Sequence, residues 1–171
     1  MTPAAAALIV DFVNTRDIDE GTDNLTGPAD LAAWLDRHGL ACDGATDVDL
    51  SDAITLREGL RAALGHDGAE PPGLADLLHR LPLQVALGGT PELVPARSGV
   101  SAGLAGLLVA ATRCGQDGTW ARLKVCPADH CRWAFYDTSR NRSRNWCSMR
   151  VCGNREKTRA YRTRNRRSAE R

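Results

Sequence analysis

"CPADHCRWAFYDTSRNRSRNWCSMRVC", residues 126–152, holds four of the chain's six cysteines in the pattern C-x4-C-x15-C-x4-C. Two close pairs joined by a short loop suit a tetrahedral Zn²⁺ site, because each pair supplies two thiolates from one turn and the loop folds the pairs together. Cys126, Cys131, Cys147 and Cys152 are the expected ligands of one Zn²⁺ per chain. Four sulfur ligands leave no open position for a hydrolytic water, so the site would be structural. Four thiols could also hold an iron–sulfur cluster, be buried as small apolar groups or pair as disulfides, the last disfavoured in a reducing compartment. His130, next to Cys131, is an alternative fourth ligand, whereas Cys42 and Cys114 have no nearby cysteine or histidine and read as core residues.

Outward from the cysteines, "RLKV" (122–125) reads as a strand running into the first turn and "RWAFYD" (132–137) as its partner. A polar loop, "TSRNRSRN", follows, and then a helix from about Gly153-Asn154 through Arg166. This is the order of a treble-clef finger: a knuckle and hairpin give two ligands and the start of a helix gives the others. Such a module buries too little surface to fold alone, so metal must supply much of its stability. Trp133 and Trp146 are expected to form its small core.

The net charge of +1 hides a division. Residues 1–120 carry 7 Lys+Arg against 17 Asp+Glu, a net of −10, and residues 121–171 carry 15 against 4, a net of +11. An acidic body with a basic appendage points to a polyanionic partner. Arg140, Arg142 and Arg144 alternate in the loop, and Arg155, Lys157, Arg159, Arg162, Arg164, Arg166 and Arg167 crowd the helix. Arginine grips phosphate with a planar fork and reads guanine edges, so nucleic acid is the expected partner, with duplex DNA narrowly ahead of RNA on the residues alone. Asn154, Thr158, Tyr161 and Asn165 add amide and hydroxyl groups that suit adenine edges and phosphates, while Tyr161 could instead pack on the hairpin. A solvated face paired with Glu156 and Glu170 is the plainer explanation, but it leaves most of the cations unmatched.

The first part of the chain reads as helical. "PADLAAWLDRHGL" places Pro28 at a helix start, Leu31, Trp34 and Leu35 on one face and Gly39 at the end. Residues 49–64 carry a stripe of Leu50, Ala53, Ile54, Leu60 and Leu64, and a helix from Pro72 carries Leu74, Leu77, Leu78 and Leu81. "LPLQVALGGTPELVPA" alternates and turns at Gly88-Gly89, as a hairpin would. "SAGLAGLLVAATRCG" is a buried helix with Leu104, Leu107, Leu108 and Ala111 inward, "CGQDGTW" (114–120) has the composition of a linker, and the opening "AAAALIVDFVN" favours helix over strand. Asp11, Asn14, Thr15 and Arg16 form a polar cluster that is a candidate ligand pocket, with helix capping and a turn as the plainer account. No nucleophile–base pair, phosphate loop or open metal site is legible, so an enzyme is not expected. No apolar run approaches the ~20 residues of a membrane span, and the first residues lack the basic region of a secretory signal, so a soluble cytoplasmic protein is expected.

The segment "CPADHCRWAFYDTSRNRSRNWCSMRVCGNREKTRAYRTR" resembles the CGNR zinc finger, whose signature stands here as Cys152-Gly153-Asn154-Arg155, with "FYDTSR" and "WCSM" as companions. "DFVNTRD", "WLDRHGL" and "LREGLRAAL" are similar to the ABATE domain that usually precedes that finger. One departure is Asn145 before Trp146, where the family commonly has arginine. The resemblance implies a bacterial, stress-related transcription regulator in which the four cysteines bind metal and the finger binds DNA. The expected architecture is mostly α: an ABATE-like helical domain with a small β-hairpin over 1–118, and a treble-clef zinc finger with a basic helix over 119–171. The helical domain would sense a small-molecule effector or make a homodimer. A zinc-stapled protein–protein adaptor and an RNA-binding module are the alternatives, with a small-molecule enzyme behind them.

Overall fold

The computed structural model describes residues 2–65 and 70–169. The side chains at 160, 163, 164 and 166–169 lie outside that description, so the basic tail expected at Arg164, Arg166 and Arg167 falls outside the described residues, as does Glu170. Helices α1 (Ala4–Val13), α2 (Pro28–Arg37), α3 (Asp47–Gly65), α4 (Leu74–Arg80), α5 (Gly99–Gln116) and α6 (Asn154–Ala169) make the fold mostly α. Strands β1 (Arg16–Asp17) and β2 (Thr22–Asp23), β3 (Leu83–Ala86) and β4 (Glu92–Pro95), and β5 (Leu123–Val125) and β6 (Ala134–Tyr136) form three antiparallel hairpins. Among the described residues no helix is long and apolar enough to cross a membrane.

Periodicity explains the helical core. In α1, Ala6, Ile9, Phe12 and Val13 face inward along α5, and in α2 Leu31, Trp34 and Leu35 do the same. Asp30 caps α2 by accepting from the backbone N–H groups of Thr26 (3.0 Å) and Gly27 (3.1 Å), and Gly39 ends the turn at φ +65°. Each fully buried Leu, Ile or Phe here contributes about 1.5–3 kcal/mol relative to exposure. Cys114 lies in this core and Cys42 packs against it.

Three expectations are revised. Leu78 points outward, because α4 is only Leu74–Arg80 and buries Leu74 and Leu77 alone. Helix α5 runs on to Gln116, so the turn before Trp120 is shorter than a 114–120 linker. In α3 the buried face includes Leu56 and two arginines, Arg57 and Arg61, which a purely apolar stripe passes over.

The metal-side hairpin is continuous with the helical core. Leu123, Val125 and Ala134 are buried in the same cluster as Ile9, Leu56 and Leu107. The Asn14 amide pairs with both backbone groups of Ala134, accepting from its N–H (2.8 Å) and donating to its carbonyl (2.9 Å). Arg61 donates to the carbonyls of Val13 (2.6 Å) and Arg132 (2.8 Å), joining α1 to the turn that leads into β6. Arg57 makes a two-pronged pair with Asp23 (2.8 Å and 2.8 Å) and donates to Thr15 Oγ1 (3.1 Å), which fixes the β1–β2 hairpin against α3.

Candidate metal centre and basic face

Two turns bring the sulfurs together. At the first, the N–H groups of Cys131 and Arg132 donate to the Ala128 carbonyl, and Arg132 adopts φ +52°. At the second, Ser148 Oγ accepts from the Val151 N–H, and residues Met149–Gly153 form a π-turn that delivers Cys152 to the start of α6. Gly153 is required by close approach: a Cβ there would run into Met149 Sδ and lie 3.1 Å from Trp146 Cδ1. Cys126, Cys131 and Cys152 are buried and Cys147 half-buried, with Trp133 and Trp146 packed around them as a small separate core.

The Sγ atoms of Cys126, Cys131, Cys147 and Cys152 lie within 4.8 Å of one another, with Cys131–Cys147 at 3.5 Å and Cys147–Cys152 at 3.6 Å. Zn–S bonds of about 2.3 Å arranged tetrahedrally separate sulfurs by about 3.8 Å, so the cluster fits that ion. It is a single zinc site. His130 is not part of the cluster, and its buried Nε2 meets no partner among the described residues. Burial pushes the Cys131 thiol up to about 12 and the Cys147 thiol higher still, with the neighbouring sulfurs opposing a negative charge on Cys147. A divalent cation reverses that opposition and holds the sulfurs as thiolates.

Between the cysteine pairs, a hub formed by Lys124 and Asp137 fixes the arginine loop. The fully buried Asp137 carboxylate accepts from Lys124 Nζ (2.7 Å) and from the N–H groups of Ser139 (2.9 Å) and Arg144 (3.0 Å). Burial works to raise its pKa, but these donors outweigh burial and hold it well below the usual carboxylate range. Lys124 spends its other hydrogens on the carbonyls of Arg142 (2.6 Å) and Arg144 (2.9 Å). Arg140 and Arg142 thus stand on a braced loop with exposed side chains, Arg142 at φ +53°. Arg144 is also exposed but is committed: it donates to the carbonyls of Trp146 (2.9 Å) and Cys147 and stacks 4.6 Å over the Phe135 ring. In the sequence Asp137 reads only as the end of a strand and this role was missed, although Asp137-Thr138-Ser139 carries the signal of an Asp-x-Ser turn, in which the carboxylate accepts from the N–H two residues on.

On α6 and the π-turn, Arg150, Val151, Asn154, Arg155, Thr158, Arg159 and Arg162 line one open groove of about 560 Å³. Their spacing of three and four follows one helix face. Lys157 is exposed but outside that groove, and Tyr161 is exposed. Arg155 reaches back to Asp19, in the turn between β1 and β2, at 3.0 Å and 3.3 Å.

The polar cluster of the first helix separates into different roles. Asn14 and Thr15 are occupied by Ala134, Phe12 and Arg57, and Arg16 makes a loose pair with Glu58 at 3.9 Å. Asp11 lies 3.8 Å from His38, and Asp11, Asn14 and Thr15, though not Arg16, line a cavity of about 500 Å³ with Trp34 and Trp133.

Two family models match the chain. The CGNR zinc finger covers residues 122–165, and ABATE, described as "Putative stress-induced transcription regulator", covers residues 6–126. The two overlap on β5 and Cys126, where the hairpin joins the helical core. No curated protein matches. With most of its length covered by the first of these domains and its cysteine cluster by the second, the chain belongs to the ABATE family and carries a CGNR zinc finger.

Proposed function

We propose that the protein is a zinc-dependent regulator of transcription that binds duplex DNA in the cytoplasm of a bacterium. The observation that carries this reading is the single face of α6 on which Asn154, Arg155, Thr158, Arg159 and Arg162 line one groove, next to the braced Arg140–Arg142 loop. Zinc has no catalytic part here: it holds the start of α6 against the hairpin, so that the helix projects from a fixed point. Arginines grip phosphates and set register, and Asn154 and Thr158 lie among them where base edges or phosphates would be met. On this reading the acidic sensing or dimerising part runs to about residue 118 and the finger follows, its β5–β6 hairpin packed into the same core. Titration of labelled duplex DNA with the zinc-loaded chain at several salt concentrations tests the reading. Binding that weakens with a log–log slope of about −0.9 per phosphate contact is expected, and its absence would remove the DNA assignment.

A second reading draws on the Arg155–Asp19 pair. A basic helix that already meets a carboxylate of its own chain could also meet an acidic protein, as in a zinc-stapled adaptor. Lack of DNA binding together with capture of a defined acidic peptide would favour it.

A further inference from the structure

The largest cavity among those described, about 700 Å³, lies in a trough between α1, β4 and α5 and is lined by none of the four clustered cysteines. Its walls are mostly apolar, with Leu8, Leu40, Leu93, Val109 and Ala110 among them. One edge of the trough is set where the chain after α2 crosses close over glycines of α5. A Cβ at Gly103 would collide with the Ala41 carbonyl, and one at Gly106 would come within 2.9 Å of Leu40 Cδ2. A volume of this size and a largely apolar lining match small-molecule sites.

One end of the trough is polar. Asp11 and His38 line both this trough and the 500 Å³ cavity that reaches Trp34 and Trp133, so the two spaces meet at that pair. His38 stacks on Trp34 with ring centroids 4.0 Å apart, and its Nδ1 lies 2.8 Å from the Trp34 carbonyl. A carbonyl only accepts, so Nδ1 carries a hydrogen, and Nε2 is the ring atom that faces Asp11. The separation from Asp11 Oδ2 is 3.8 Å, too long for a hydrogen bond. With the ring neutral, Nε2 and the Asp11 carboxylate face the junction as two acceptors that do not hydrogen-bond each other.

We propose that this cleft binds a small protonated amine with an apolar body, the ammonium seated between Asp11 and His38 and the body lying along the trough. An ammonium has hydrogens for both acceptors and a charge that matches Asp11, whereas a carboxylate would be repelled and an alcohol could satisfy only the hydrogen bonding. The surrounding charge favours the same class, since residues 1–120 carry a net of −10. Of the nearby cations, Arg113 is paired with Glu92 at 2.9 Å, and Arg37 lies in the adjoining cavity together with Asp30. The adjoining cavity runs from the Asp11–His38 pair to Trp133, next to the Asn14–Ala134 clasp, which sets that end of the site one cavity away from the hairpin that carries the first two zinc ligands. This site deepens the sensing half of the proposed function. Its test uses no nucleic acid, so failure of either reading leaves the other to be judged alone.

The experiment is calorimetric titration of the full zinc-loaded chain with phenylbutylamine, phenylbutanol and phenylbutyrate, which share one apolar body, with tryptophan emission as a second readout. The amine should bind about five- to tenfold more tightly than the alcohol, and the carboxylate most weakly. Asp11 is exposed, so Asp11→Asn should keep the fold and zinc content while erasing the amine's advantage over the alcohol. Filling the trough with Ala7→Trp should weaken amine and alcohol alike. The proposal is overturned if the alcohol or carboxylate binds as well as the amine, if Asp11→Asn leaves the preference intact, or if none of the three binds.

Discussion

Asn14 and Ala134, 120 positions apart, exchange two hydrogen bonds as if Asn14 were a one-residue third strand on the β5–β6 hairpin. The zinc-side hairpin is therefore fastened to the first helix of the chain. Replacing Asn14 by Ala strands a buried N–H and a buried carbonyl, at a cost of about 2–4 kcal/mol. Urea unfolding followed by circular dichroism should show this loss in the zinc-loaded protein. A loss below about 0.5 kcal/mol would mean that water or a shifted backbone replaces the clasp.

Of the four aspartates held below their ordinary pKa among the described residues, Asp23, Asp30, Asp117 and Asp137, two are paired with cations and bear on the response to acid. Asp23 is opposed by partial burial but drawn below its ordinary pKa by the Arg57 pair, and Asp137 is held low by Lys124 and Ser139 despite burial. A carboxylate whose folded pKa is depressed contributes stability above its unfolded value of about 3.9 and loses it as pH falls through the folded value. Stability should thus be flat with respect to these groups near neutrality and fall below about pH 4. Asp137→Asn should cost about 2–4 kcal/mol at neutral pH, because Lys124 loses its charged partner, and should flatten the acid limb. Unchanged acid unfolding in both Asp23→Asn and Asp137→Asn would reject this account.

The metal site and its helix were legible because thiolate spacing is a strict chemical constraint: Cys126, Cys131, Cys147 and Cys152 could be paired on paper, and they converge. Helices α2 and α5 were legible for a similar reason, since one buried face repeats in both. What periodicity could not show was polar burial. Arg57 and Arg61 belong to a segment that resembles a solvated amphipathic helix, yet their charges are met by Asp23, by Glu58 and by main-chain carbonyls distant in sequence. The role of Asn14 was hidden in the same way, since its partner Ala134 arrives only with the tertiary fold, whereas Thr15 adds to its distant Arg57 a local bond to the Phe12 carbonyl.

Metal removal should act unevenly. Chelation takes the support from Cys147 and Cys152 and so from the start of α6, while Leu123, Val125 and Ala134 remain buried against the helical core. Hydrogen exchange on the chelated protein should show lost protection over residues 147–158 and retained protection over β5 and β6. Each Cys→Ser change should lower zinc content from one per chain. Full zinc occupancy in Cys126→Ser, or uniform loss of protection through the core, would contradict this division.

The Arg155–Asp19 pair connects the charge division to regulation. Arg155 lines the groove proposed for DNA and donates to Asp19, so a phosphate bound by Arg155 would compete with that carboxylate. Asp19→Asn should therefore raise DNA affinity several-fold at about 100 mM salt, whereas Arg155→Gln should lower it and make the salt slope shallower by about 0.9. Long-range repulsion from a net charge of −10 would produce a similar gain from Asp19→Asn, so the single variant does not separate the two causes. The double variant does: with Arg155 already replaced, direct competition predicts that Asp19→Asn gives little further gain, while simple repulsion predicts the same gain in either background. Anisotropy titrations of the four proteins at several salt concentrations distinguish these outcomes, and an equal gain in both backgrounds would leave masking as a bulk charge effect with no latch.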